Sequence, residues 1–248
     1  MILGSDGEKM SKSRGNVVNP DDVVQQVGAD AFRLYEMSMG PLEAVKPWQT
    51  SQVQGVVRFR NRVHSIVTEY ASLRNDNRLN NQDSNDNAFE DEIVKHMHRV
   101  IKKITEDVKS LNYNTAISAM MIYSNDLSHA LKQHGAALPI QLFENMILLI
   151  SPFAPHLAEE CWEILGNKPS MSQHPWPTYD EAMCVRAEIN IAVQINGKFR
   201  GELSLPPGSV QDDVMNAAEK SFKKYLDGST VKKIIFVPDK IINILISK

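Results

Sequence analysis

Cysteine is scarce in this 248-residue chain: Cys161 and Cys184 are the only two. They are too few and too isolated for a disulfide scaffold or a zinc ribbon, so a reduced, cytoplasmic setting is expected. No apolar run approaches the roughly 20 residues of a membrane-spanning helix. The N-terminus also lacks the basic segment and apolar core of a secretory signal, so neither membrane nor export is expected. Charge of one sign is not in excess, because the formal net charge is -3. That excludes a body coated in positive potential and leaves nucleic-acid contact to local basic clusters. Internal repeats are absent, and the only compositional bias is an Asn-rich stretch. What is present is a chain with 42% apolar and 23% charged residues, long enough for two or three domains with real cores.

The chain opens within what reads as a loop, which predicts a piece of something longer. Asn19-Pro20-Asp21-Asp22 is a helix start, with a capping side chain, proline at the first helical position and acids at the positive end of the dipole. Gly28 stops that helix, and a second short one runs from Asp30 to Gly40-Pro41. From Ser51 to Tyr70, Val53, Val56, Val57, Val63, Ile66, Val67 and Tyr70 recur at helical spacing. Arg74 to Asn87 reads as a surface loop. Helical patterns then cover 89–111, 115–131 and 139–150, and the stretch SPFAPHLAEECWEIL resumes helix after its two prolines. Four to five antiparallel helices make a bundle.

After Pro177 the period changes. Ile189, Ile191, Val193 and Ile195 alternate with polar or small residues, Asn196-Gly197 supplies a tight turn, and alternation resumes through Phe199, Leu203 and Leu205. Ser209 with Asp212 resembles a capping box for a helix to Leu226. Two further strands, 231–237 and 241–246, complete a β-β-α-β-β order. The fold class expected is therefore mainly α: a helical bundle followed by a small α+β C-terminal domain.

One short stretch carries more chemistry than its surroundings. EKMSKSRGN, Glu8 to Asn16, packs Lys9, Lys12, Arg14, two hydroxyls and a glycine into nine residues. It is too polar for a core, and it can either wrap a polyanion or serve as a solvated loop. Its context is RGNVVNP, then GADAFRLYEMSMGPLEAVKPW, then the bundle with SPFAPHLAEECW. That order resembles the second half of a class I aminoacyl-tRNA synthetase of the leucine, isoleucine and valine group. INGKFRG and IIFVPDKIINILI near the end are similar to the C-terminal domain of the bacterial-type leucyl-tRNA synthetase family.

The resemblance covers essentially the whole chain and implies four regions. These are 1–45, the KMSKS loop and the helical end of a catalytic domain; 46–168, an anticodon-binding bundle; 169–184, a linker; and 185–248, a tRNA-binding α+β domain. It implies catalytic roles for Lys12, which stabilises departing pyrophosphate as leucyl-adenylate forms, and for Lys9 as supporting cation. In the intact enzyme, joined to the missing catalytic half, Lys9, Ser11, Lys12 and Ser13 would contact ATP, with magnesium as its counter-ion, and leucine tRNA would be the partner of a monomeric, cytoplasmic protein. A HIGH-type motif is missing, since KQHG at Lys132–Gly135 ends a bundle helix. The nucleotide-binding core, leucine pocket and editing domain are missing too, so the chain alone is expected to be inactive. Two departures from the family pattern are Phe199, where an aliphatic residue is usual, and Asp239, where glycine is common.

For RNA, the candidates are Arg58 and Arg62 in the bundle and Lys198 and Arg200 beside the hairpin turn. The latter two are expected to point outward together, away from an apolar face. Other basic residues read as solvated faces. His96 and His98, two apart on a helix and without nearby cysteine, make a poor metal site, and no bound metal is expected. The tryptophans and Met120, Met121 and Met146 read as packing. Two other functions compete: a non-catalytic module that binds tRNA or the other half of an enzyme, and a helical scaffold for protein partners.

Overall fold

The computed structural model describes residues 1–80, 87–168, 170–185 and 188–247. The chain folds as two compact units, Met1–Cys184 and Val185–Lys248.

The first unit begins with β1 (Ile2–Leu3), which pairs in parallel with β2 (Lys46–Pro47). Between them lie the loop and two helices, α1 (Pro20–Val27) and α2 (Ala29–Ser38). Helix α1 starts as its sequence dictates: Pro20 leads, and the Asn19 side chain accepts the Asp21 N–H at 3.2 Å. Gly28, at φ +86°, makes the corner into α2. Leu34 and Tyr35 of α2 are buried, and Tyr35 meets Trp48 edge-on at 4.8 Å between ring centroids. The Tyr35 hydroxyl donates to the Gln49 carbonyl and accepts the Gln49 N–H, both at 3.1 Å, tying α2 to the start of the bundle.

The bundle consists of α3 (Thr50–Asn80), α4 (Asn87–Lys109), α5 (Tyr113–His134), α6 (Ile140–Ile150) and α7 (Pro155–Ile164). Of the α3 residues picked out by spacing, Val53, Val56, Val63, Ile66, Val67 and Tyr70 are buried, together with Phe59, and Val57 is partly buried against the same core. Each such side chain withdrawn from water contributes about 1.5–3 kcal/mol. Tyr70 stacks on Phe143 of α6 at 3.8 Å, and its hydroxyl donates to the Leu138 carbonyl at 2.9 Å. Met120 and Met146 belong to this core, as do Trp48 and Trp162.

The loop expected over 74–87 is largely helix: α3 continues to Asn80 and α4 begins at Asn87, while 81–86 lie outside the described residues. Asparagine and aspartate have low helix propensity, yet adding residues to an existing helix costs far less than nucleating one. Ser170 and Met171 bond to Glu159 of α7, and the chain from Trp176 to Cys184 lies along α4. The Trp176 indole N–H donates to Thr105 Oγ1 at 2.8 Å, the Asp180 N–H donates to His98 Nδ1 at 3.1 Å, and Glu181 in α8 (Glu181–Cys184) pairs with Lys102 at 2.7 Å.

The second unit has the expected order: β3 (Ile189–Ile195), β4 (Lys198–Leu205), α9 (Gln211–Ser221), α10 (Lys223–Leu226), β5 (Thr230–Val237) and β6 (Ile241–Ser247). The strands lie in the order β4-β3-β6-β5, with β3 and β6 parallel and the outer pairs antiparallel. Asn196 at φ +50° and Gly197 at φ +76° make the hairpin turn that their sequence predicts. Ile191, Val193, Leu203, Ile242 and Ile244 form a core with Val214 and Ala218 of α9. The capping box is not formed: Ser209 donates its hydroxyl to the Pro206 carbonyl at 2.6 Å, closing the preceding turn, and α9 begins at Gln211 without a side-chain cap. Asp239, at φ +61°, accepts the Gly208 N–H at 2.8 Å, a bond that glycine there could not make.

Candidate functional site

The KMSKS segment is a loop closed on itself. Lys12–Arg14 form a single 3-10 turn, ended by Gly15 at φ +67°. Arg14 pairs with Glu8 at 2.8 Å, so one of the three cations is neutralised within the loop. Lys9 and Lys12 are exposed, and their ammonium groups make no ion pair or hydrogen bond with the described residues. Ser11 and Ser13 bring their hydroxyl oxygens to 3.2 Å of each other. Met10, between Lys9 and Ser11, is half-buried against the core of the first unit and anchors the loop. The Asp6 carboxyl is held below the usual carboxylate range, chiefly by the Glu8 N–H and also by the Asn16 amide. The result is two uncompensated positive charges and two hydroxyls on one fixed turn, an arrangement suited to phosphate oxygens.

The four basic candidates fall in two places. Arg58 and Arg62 are one helical turn apart on α3, so they share a face, and neither is tied to another described residue. Arg60 between them differs: its guanidinium donates to the Val27 carbonyl and to Asn61, joining α3 to the end of α1.

In the second unit, Lys198 and Arg200 do not face away from the apolar side. A bulge interrupts the β3–β4 register, pairing Gln194 with Phe199 but Val193 with Gly201, so Arg200 is the extra residue. Lys198 lies opposite the buried Ile195, and the Arg200 guanidinium stacks 4.4 Å from the Tyr225 ring centroid in α10. The residue sent to the open face is Phe199, which is 60% exposed. Lys224 lies 4.7 Å from the same tyrosine ring, and its hydrogen bond, with help from the nearby Arg200 charge, holds the Tyr225 phenol below its ordinary pKa. Lys198, Arg200 and Lys224 therefore belong to the helix side of the sheet.

Sequence spacing did not single out Asp6, Asn16 or Asp30. Asp30, only 6% exposed, reaches from α2 to the first turn of α7, where its carboxylate accepts the Leu157 N–H at 2.7 Å and meets His156 Nδ1 at 2.9 Å. A remote carboxylate thus satisfies a backbone donor that this helix start leaves open. His96 and His98 turn to different neighbours, Asp126 and the Asp180 N–H. Among the described residues no cluster of three or more His, Cys, Asp or Glu side chains could hold a metal ion, and no helix is long and apolar enough to cross a membrane.

Comparison with known proteins identifies the class. Residues 90–215 match the family described as the anticodon-binding domain of tRNA ligase, and residues 1–49, which include the loop, match the class I tRNA synthetases for I, L, M and V. The chain belongs to the tRNA-ligase anticodon-binding family and carries a segment of a class I synthetase ahead of that domain. Within that class it is a homologue of the leucine-tRNA ligases. It is 48% identical to the leucine-tRNA ligase of Sorangium cellulosum, over 99% of this chain and 27% of the relative. It is 42% identical to that of Chlorobium phaeobacteroides, over 99% of this chain and 29% of the relative. The chain thus spans between a quarter and a third of the length of these relatives.

Among solved structures, the Agrobacterium radiobacter K84 agnB2 LeuRS in ternary complex with tRNA and LeuAMS superposes with a TM-score of 0.73 at 29% identity, over 100% of this chain and 33% of that one. Mycobacterium tuberculosis methionyl-tRNA synthetase shares the fold, with a TM-score of 0.60 at 16% identity over 84% of this chain and 42% of that one.

Proposed function

We propose that the chain is the C-terminal part of a leucine-tRNA ligase, supplying the ATP loop and the tRNA-binding domains of an enzyme that activates leucine to leucyl-adenylate and transfers it to leucine tRNA. The observation that carries this reading is the 48% identity to a leucine-tRNA ligase sustained over 99% of the chain, across both units. The solved LeuRS complex contains tRNA and LeuAMS, which supports tRNA and an adenylate as the molecules handled by the assembled enzyme.

In this reading the leucine carboxylate attacks the α-phosphorus of ATP. The bond to the bridging oxygen breaks, and pyrophosphate leaves with the developing negative charge. Lys12, with Lys9 beside it, stabilises that charge, and a preorganised ammonium counts most where charge is formed. Ser11 and Ser13 donate to phosphate oxygens. Magnesium enters as the counter-ion of ATP. The loop offers it no ligand set, because Asp6 and Glu8 are engaged with Asn16 and Arg14. Arg58 and Arg62 on the bundle, and Lys198 and Arg200 on the α+β domain, meet the sugar-phosphate backbone of tRNA. The protein works as a cytoplasmic monomer.

The test is ATP–pyrophosphate exchange in the full-length ligase. Lys12→Ala should lower the leucine-dependent rate by about 10²–10³-fold, the cost of removing one transition-state donor. A rate near wild type would defeat the assignment of Lys12. The 248-residue chain alone should show no exchange. The second reading, a non-catalytic module that binds tRNA or the other half of an enzyme, has no observation that favours it over the first. It predicts selective tRNA binding by the isolated chain.

A further inference from the structure

The loop's two free lysines do not hold their own positions, because an ammonium on a four-carbon stem is aimed mainly by the backbone that carries it. That backbone is fixed by one side chain. Asn16 Oδ1 accepts the Ser11 N–H at 2.9 Å, and Asn16 Nδ2 donates to the Lys9 carbonyl at 3.3 Å. The two bonds flank Met10 as a neighbouring β-strand would, so a single carboxamide stands in for a strand partner. Met10 itself is seated against the core, and Lys9 and Lys12 leave the clamped segment on either side.

The carboxamide is in turn oriented. Both Asp6 carboxylate oxygens lie within reach of Asn16 Nδ2, at 3.2 and 3.0 Å, and an ionised carboxylate can only accept, which fixes the nitrogen end of the amide. The Glu8 N–H, donating to Asp6 at 3.1 Å, fixes the carboxylate. Gly4 leaves the room: a Cβ there would lie 2.6 Å from Asp6 Oδ1 and 2.8 Å from Asn16 Nδ2. Gly15, at φ +67°, turns the chain so that Asn16 comes back beneath Lys9 and Ser11.

We propose that Asn16, oriented by Asp6, is a positioning residue that sets the loop backbone so that Lys9 and Lys12 present their charges to a diphosphate group. The inference rests on the reading of the loop as the ATP loop, and its test separates the two.

The full-length ligase, followed by hydrogen-exchange mass spectrometry, is titrated with inorganic pyrophosphate in four forms: wild type, Lys12→Ala, Asn16→Ala, and the exchanged pair Asp6→Asn with Asn16→Asp. The expected result is binding by the wild type, loss of it in Lys12→Ala, and an affinity about threefold to tenfold weaker in Asn16→Ala. The Ser11 amide should lose its protection from hydrogen exchange in Asn16→Ala, while the amides of the bundle core keep theirs. The exchanged pair, which restores an amide–carboxylate contact, should regain part of the affinity, as a merely structural role would not require. Wild-type affinity in Asn16→Ala, with binding still lost in Lys12→Ala, overturns the role of Asn16 and leaves the ATP loop standing. Equal binding by wild type and Lys12→Ala, or no binding by the wild type, removes the ATP-loop reading and this inference with it.

Discussion

At Asp30 a single carboxylate of α2 caps a helix 127 positions away in sequence, satisfying the Leu157 N–H that the start of α7 leaves open. Asp30→Ala should lower stability by about 1–2 kcal/mol, the cost of a lost cap with a donor left unsatisfied. Urea titration would read this as a lower midpoint at unchanged slope. Contrast Asn19: its partner, the Asp21 N–H, is two residues away, so that cap is legible in the sequence. A cap delivered across the fold leaves no local pattern, and for the same reason the roles of Asp6 and Asn16 emerge only from geometry.

The two cysteines separate by environment. Burial, with the nearby Glu160 charge, pushes the Cys161 thiol up to about 12, whereas Cys184 is only partly covered. A thiol reagent at mildly alkaline pH should label Cys184 and spare Cys161 until the first unit unfolds, as mass spectrometry would show. Because the folded pKa of Cys161 is raised, its contribution to stability is complete below the unfolded value near 9 and is lost as pH rises toward about 12.

Among the elements, the β3–β4 hairpin shows how far alternation can be trusted. Its existence and its Asn196-Gly197 turn follow from period-2 patterning, but the bulge at Arg200 reverses which face the next residues take. One added residue changes the parity of a strand, and no composition signal marks it. What marks it in the structure is Gly201, at φ +152°, where a Cβ would lie 2.9 Å from the Phe222 ring. Gly201→Ala should therefore destabilise the second unit by about 1–3 kcal/mol through overpacking and strain. The shift should appear in the NMR signals of β3 and β4 on heating, with those of the bundle unmoved. The bundle helices were legible because apolar spacing sustained over several turns is a strong signal. The polar end of α3 was not, since exposed Asn and Asp suggest a loop unless a helix is already running through them.

For the molecule as a whole, two cores with no shared residues predict that unfolding is not two-state. Thermal or urea scans followed by tryptophan fluorescence and by far-UV circular dichroism should not coincide, because all three tryptophans lie in the first unit. On the proposed function, binding of leucine tRNA to the assembled enzyme should weaken with salt. On the same proposal Arg58→Ala or Lys198→Ala, each removing one phosphate contact, should reduce the slope of log K against log salt by about 0.7–0.9. An unchanged slope for either variant would remove that residue from the RNA-contacting set.

The position of β6 bears on how the second unit is made. Ile241–Ser247 lies between β3 and β5, so the strand made after the other three of this sheet is an inner one and supplies Ile242 and Ile244 to the core. A nascent chain that has already produced the hairpin, α9 and β5 still holds two strand edges with nothing between them. Closure waits for the final strand to thread into place by a parallel pairing with residues made some 50 positions earlier. On the ribosome this unit therefore completes itself late and all at once, and until then its exposed edges are what a chaperone would meet.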